Sequence, residues 1–225
     1  MRNSQLSLAL ALALSLSTSP AFAGDAQSID HVNGSIHAEA GQTYADLSTV
    51  NGSISLDSGS TAKSVDTVNG SITLDDKVQV ESLETVNGRI AAGQNCQIGK
   101  DASTVNGGIR IGFHSRVGGE VSTVNGNITV QQTEVGGKVT TVGGDITIGA
   151  QSVVHGGILI EKSHGFSMGW GKVSNPRIVI GPNAVVEGEL HFEREVELYV
   201  HETAKIGTVT GATVHKYTET LPPRP

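Results

Sequence analysis

TVNGSITLDDKVQVESLE, residues 67–84, reads as one complete turn of a repeating structure. The next residues begin the phrase again, as TVNGRI at 85–90. Seven copies follow one another: HVNGSI (31–36), TVNGSI (49–54), TVNGSI (67–72), TVNGRI (85–90), TVNGGI (104–109), TVNGNI (123–128) and TVGGDI (141–146). Successive copies are about 18 or 19 residues apart. A fixed short period is the mark of a solenoid, whose units bury their apolar faces only against their neighbours.

Within residues 67–84, Val68 is expected to point inward and Asn69-Gly70 to turn a corner, since both residue types tolerate positive φ. Ile72 and Leu74 alternate with Thr73, as in a short strand with one buried side. Asp75-Asp76-Lys77 form a second polar corner. Val78 and Val80 alternate with Gln79 on a second face, and Leu83 begins a third. The expected fold is therefore all-β: a single-stranded, three-sided parallel β-helix of about 18 residues per coil. No stretch after the leader has helical periodicity.

The apolar columns persist from coil to coil. Behind the turn stand Ile54, Ile72, Ile90, Ile109, Ile128 and Ile146, followed two residues later by Leu56, Leu74, Ala92, Ile111, Val130 and Ile148. The second face supplies Ala62, Val80, Ile98, Val117 and Val135. The third supplies Leu47, Val65, Leu83, Ala102, Val121 and Val139. One extra residue at the corner between Ile98 and Ala102 accounts for the change from 18 to 19. Each fully buried Val, Ile or Leu contributes roughly 1.5–3 kcal/mol. That offsets the ordering of a coil only when coils stack.

The corner asparagines Asn33, Asn51, Asn69, Asn87, Asn106 and Asn125 are expected to form a side-chain ladder along the axis. Gly34, Gly52, Gly70, Gly88, Gly107, Gly126 and Gly144 accompany them as turn residues. The threonines one position before the valines, with the asparagines one position after, read as two outward polar columns flanking an inward valine. A flat array of this kind is what ice-binding solenoids display, but the corner position of the asparagines breaks the flatness.

The ends differ from the repeats. Arg2, an apolar run from Leu6 to Leu16 and the small-residue site Ala21-Phe22-Ala23 read as a secretory signal peptide over residues 1–23. The chain is thus expected to be exported, to the periplasm or beyond. The solenoid is expected over 24–215, with VNGxI coils at 31–148 and a second type at 148–215. In the second part, IGAQSVVHGGI (148–158) parallels IGPNAVVEGEL (180–190), and VHETAKI (200–206) repeats its first half. An inserted loop, SHGFSMGWGKVSNP (163–176), carries Phe166, Met168 and the single Trp170 as a candidate ligand-binding platform. A Pro-rich tail is expected over 216–225.

The chain has 225 residues, a formal net charge of −7 and no basic stripe, which argues against nucleic-acid binding. Its single cysteine, Cys96, falls in an inward column and cannot form an internal disulfide. No later segment has the apolar length of a membrane-spanning helix. Asp75-Asp76 is a lone acidic pair at a corner. Glu187, Glu189, Glu193, Glu195 and Glu197 lie around a strand, where solvated outward positions account for them. His155 reads as an exposed corner residue. The histidines lack metal-ligand spacing. The expectation is no catalytic residue, no metal and no cofactor.

The VNGxI phrase behind a leader resembles the exported bacterial adhesin family of β-solenoid domains. The later coils, VGGKV, IGAQSVVHGGI and IGPNAVVEGEL, resemble bactofilins, which are polymer-forming right-handed β-helices. Together the resemblances cover Ile29 to about Val214. They imply a right-handed, non-enzymatic envelope scaffold or self-assembling element. Its partners would be other copies of itself or a cell-surface or glycan component. The alternatives are a glycan- or surface-binding module using the 163–176 loop and, further off, a carbohydrate-active β-helix enzyme acting through Asp75, Asp76, Glu187 and Glu189.

Overall fold

The computed structural model describes residues 26–162 and 175–219. It is a parallel β-solenoid, with two sheets among the described residues, of ten and sixteen strands. The ten-stranded sheet is one wall, and each of its strands belongs to a separate coil. It starts at Ile36–Ala38, continues through Ile54–Leu56, Ile72–Leu74, Ile90–Ala92 and Ile109–Ile111, and ends at Val214–Tyr217. The sixteen-stranded sheet wraps the other two walls.

In the early coils those two walls are single bent strands, Tyr44–Asn51, Thr61–Asn69 and Gln79–Asn87. From the fifth coil they separate, as Gln97–Ile98 and Ala102–Asn106. The pairings Val80↔Ile98 and Leu83↔Ala102 place the extra residue of the 19-residue repeat at this corner. The strand therefore breaks while both inward columns keep register.

All four apolar columns expected from the repeat are buried, and together with Cys96 they form one core. The 32-residue parallel in the later coils is structural too. Ile148 pairs with Ile180, Val153 with Val185 and Ile158 with Leu190. Val200 and Lys205 continue the same columns. The last strand, Val214–Tyr217, carries the solenoid past the expected boundary at 215. Tyr217 is buried and its hydroxyl donates to the carbonyl of Ile180 at 3.1 Å. The leader and residues 163–174 of the 163–176 insertion lie outside the described residues.

One expectation is reversed. The threonines point inward and the valines outward. Thr49, Thr67, Thr85, Thr104 and Thr123 are buried, while Val50, Val68, Val86, Val105 and Val124 are half-exposed. At the first coil Val32 is 60% exposed. The reason lies in the corner glycines. Each Thr Oγ1 donates to the carbonyl of the glycine in the preceding coil: Thr49 to Gly34, Thr67 to Gly52, Thr85 to Gly70, Thr104 to Gly88 and Thr123 to Gly107, at 2.9–3.0 Å. A buried carbonyl without a donor costs about 1–3 kcal/mol, so a hydroxyl fits this position better than a methyl. Among the described residues these threonines therefore form no flat outward array of the ice-binding kind.

The glycines also have a different reason from the one expected. Gly34 and Gly144 have φ of 126° and 142°, but Gly52, Gly70, Gly88, Gly107 and Gly126 do not lie in the left-handed region. In these five, a Cβ would overlap the carbonyl oxygen of the preceding coil's glycine. Absence of a side chain, rather than freedom of φ, is what the stack demands. The left-handed residues lie at the next corner instead, at Gly41, Gly59, Lys77, Asn95, His114 and Gln132.

These two corners predict opposite tolerances. Gly70→Ala places a methyl group against the Gly52 carbonyl and is expected to destabilise by more than about 3 kcal/mol. Gly59 has open space around a Cβ, and Lys77 already holds the equivalent conformation one coil on. Gly59→Ala is expected to cost about 1 kcal/mol. Urea melts of the two variants against the parent check the contrast.

Candidate functional site

The asparagine column is hydrogen-bonded end to end. Each Nδ2 donates to the Oδ1 of the preceding coil, from Asn51→Asn33 through Asn69, Asn87 and Asn106 to Asn125, at 2.9–3.0 Å. Every interior amide thus spends one donor and an acceptor on its neighbours. The column stops at Gly143, which pairs with Asn125.

Beside the outward valines lies an acidic face. Asp30, Ser48, Asp66, Glu84 and Ser103 form one column, in register from strand to strand. Asp46 and Ser64 form a second column beside it. Serine hydroxyls donate to carboxylates across the strands, Ser48 to Asp30 and Ser64 to Asp46. Asp66 sits directly over Glu84, with Asp46 on the other side. Burial, and then the charges of Glu84 and Asp46, push its carboxyl up to about 6 against a Ser64 hydrogen bond that favours the anion. Burial raises Glu84 as well.

A second charged string crosses the later coils. Arg116 pairs with Glu134 at 2.9 Å, and His155 bridges Glu134 at 3.3 Å and Glu187 at 2.7 Å. The two carboxylates raise the His155 imidazole above its ordinary value, Glu187 more than Glu134. His155 is therefore an ion-pair residue rather than a bare corner histidine.

The remaining acids have separate local tasks. Asp76 Oδ1 accepts the Gln94 amide of the next coil at 2.7 Å. Glu189 accepts the Thr210 hydroxyl at 2.7 Å, and Glu193 the Lys162 amide at 3.1 Å. Asp75 and Asp76 lie five coils from Glu187 and Glu189 along the axis, so the four do not converge on one point. Among the described residues no group of three or more His, Cys, Asp or Glu side chains could hold a metal ion. No helix among them is long and apolar enough to cross a membrane. Phe166, Met168 and Trp170 lie outside the described residues.

The opposite wall carries a shallow groove of about 390 Å³ around Arg89, Ala91, Gly108 and Arg110. Nothing in the hydrophobic periodicity marked it, although the replacement of the usual serine by Arg89 and Gly108 in the phrase was visible. Compared with family models, with curated proteins and with solved structures, the chain finds no match.

Both ion clusters make pH predictions. Asp66 has a folded value above its unfolded 3.8, so its contribution to stability is complete below about pH 4 and is lost as pH rises through about 6. Asp66→Asn is expected to be more stable than the parent at pH 7.5 by on the order of 2 kcal/mol, about 4–8 °C in Tm, and equal to it at pH 4. Thermal melts across that range check both the sign and the window. For His155, an NMR titration is expected to show a midpoint above the ordinary 6.5, brought down in Glu187→Gln.

Proposed function

We propose that this protein is a non-enzymatic self-assembling scaffold whose coils continue from one molecule into the next. The leader-like run ahead of Gly24 favours action outside the cytoplasm. The observation that carries the reading is the state of the two terminal coils. Among the described residues Gln27–Asn33 pairs on one side only, with Tyr44–Asn51, and all of its residues but Ile29 are exposed. At the other end Lys205–Ile206, Val209–Thr210 and Val214–Tyr217 are likewise paired on one side only among the described residues. Ile206, Val209, Ala212 and Val214 are half-buried there.

Unpaired strand edges are templates for further pairing. Every strand pair in the solenoid is parallel, so only a head-to-tail neighbour continues both sheets in the same sense. Head-to-tail contacts of this kind do not close and produce filaments. The resemblance to polymer-forming β-helices points the same way.

The experiment uses one blocking charge at each end. Ile29→Lys blocks the first coil and Val209→Lys the last. Light scattering and negative-stain microscopy across a concentration series are expected to show filaments or an oligomer ladder for the parent, and monomers for each variant alone. An equal mixture of the two variants is expected to stop at dimers, because only one good end of each kind remains. A parent that stays monomeric throughout, or a single variant that dimerises with itself, would overturn the head-to-tail reading.

A further inference from the structure

The outer corner column of the ten-stranded wall runs Ser35, Ser53, Ser71, Arg89, Gly108, Asn127, Asp145. Most of its members cap the next coil. Ser35 accepts the Ser53 amide and Ser53 the Ser71 amide, both at 3.2 Å, and Ser71 accepts the Arg89 amide at 3.4 Å. Further along, Asn127 accepts the Asp145 amide and Asp145 the Arg177 amide, both at 2.9 Å. At Arg89 and Gly108 the relay is interrupted. An arginine side chain offers no acceptor, and glycine offers no side chain. The relay stops again at Arg177, but that guanidinium lies 4.7 Å over the Tyr199 ring, whereas the break at Arg89 and Gly108 marks its place for a role other than folding.

The neighbouring column departs at the same height. Its members are His37, Ser55, Thr73, Ala91, Arg110, Thr129 and Thr147, so Arg110 stands between Ala91 and Thr129. The two small residues, Ala91 and Gly108, lower the surface between two guanidinium groups. Asn127 and Thr129 complete the rim of the groove. Neither Arg89 nor Arg110 has a carboxylate within ion-pair distance among the described residues, whereas Lys100 pairs with Glu81 and Arg116 with Glu134. In a chain of net charge −7, two neighbouring cations without a partner are a local inversion of charge.

We propose that this groove binds an acidic sugar. The guanidinium forks suit a carboxylate, which they can hold through paired charge-assisted hydrogen bonds. The Asn127 amide and Thr129 hydroxyl offer donors and acceptors to ring hydroxyls. The Ala91 methyl and the Gly108 backbone offer a small, flat floor for one face of the ring. A volume of about 390 Å³ lies at the lower end of the range for ligand sites.

The test is an NMR titration of the full chain with digalacturonate, with neutral lactose and with inorganic phosphate. Digalacturonate is expected to shift the backbone amides of residues 89–91 and 108–110 saturably, while lactose leaves them in place. Arg110→Gln is expected to weaken binding by about tenfold or more. Ala91→Thr supplies the side chain that the same column carries at Thr73 and Thr129. It fills the floor without removing either charge, and is expected to abolish digalacturonate binding with the melting curve unchanged. Three results would each overturn the proposal: no saturable shift at these amides, an Ala91→Thr variant that binds like the parent, or phosphate binding as tight as digalacturonate binding and equally indifferent to Ala91→Thr.

Discussion

The carbonyl oxygens of Gly34, Gly52, Gly70, Gly88 and Gly107 each meet two groups of the following coil, a threonine hydroxyl that donates to it and a glycine that approaches it without a side chain. This contact sets how closely coils can stack, and the rest of the structure depends on that spacing. Parallel strands hydrogen-bond at about 4.8 Å. A Cβ at the corner would hold two coils apart there and strain the bonds of all three walls. With the corner closed, the isoleucine and leucine columns touch and the asparagine amides reach one another. The first repeat fits the same logic. It carries His31 where later copies carry threonine, and no preceding glycine carbonyl stands there among the described residues to be satisfied.

The architecture was legible because its signals are redundant. Four apolar columns, a recurring Asn-Gly and a constant period all specify one register, and the structure holds all four columns in the core. The valine–threonine inversion was also encoded, but in a weaker signal. Counting by twos from Leu47, which is buried, puts Ser48 outside, Thr49 inside and Val50 outside. The hydrophobicity of valine pulls the reading the other way. What decides is a backbone carbonyl that accepts the threonine hydroxyl, and backbone groups are invisible in a pattern of side chains. The glycines are ambiguous for a related reason. A close approach between coils and a left-handed φ both call for glycine, and only the geometry separates them.

The groove on the ten-stranded wall lay at the edge of legibility. TVNGRI and TVNGGI show plainly that the fourth and fifth copies abandon serine. That Arg89 and Arg110 flank one depression follows only from the register Ile90↔Ile109, which sets Gly108 beside Arg89 and Ala91 beside Arg110. The acidic face is similar. Asp30, Asp46, Asp66 and Glu84 are spread over more than fifty residues, and it is the period that makes neighbours of them. The raised carboxyls of Asp66 and Glu84 were beyond the sequence, since each comes first from burial.

The distribution of charge bears on how such a rod associates. Its long acidic face stacks carboxylates in neighbouring strands, and Asp66 shows that the folded state tolerates a penalty for this. Serines interleave with the acids and dilute the repulsion, but none of the acids of the Asp30–Glu84 column has a cationic partner among the described ion pairs. The half-exposed valine stripe runs beside these acids, so a second rod packing on the valines would bring like charges together and desolvate them. Repulsion of this kind opposes side-to-side contact more than end-to-end contact: of these acids only Asp30 lies on a terminal strand, and the far end of its column is the uncharged Thr210. Under the head-to-tail reading, the cost at Asp66 gains a physical sense: a face made unwelcoming to its own copies directs growth to the terminal coils. The weakening of that repulsion as Asp66 and Glu84 take up protons would favour side-to-side contact first in the early coils, where both residues lie.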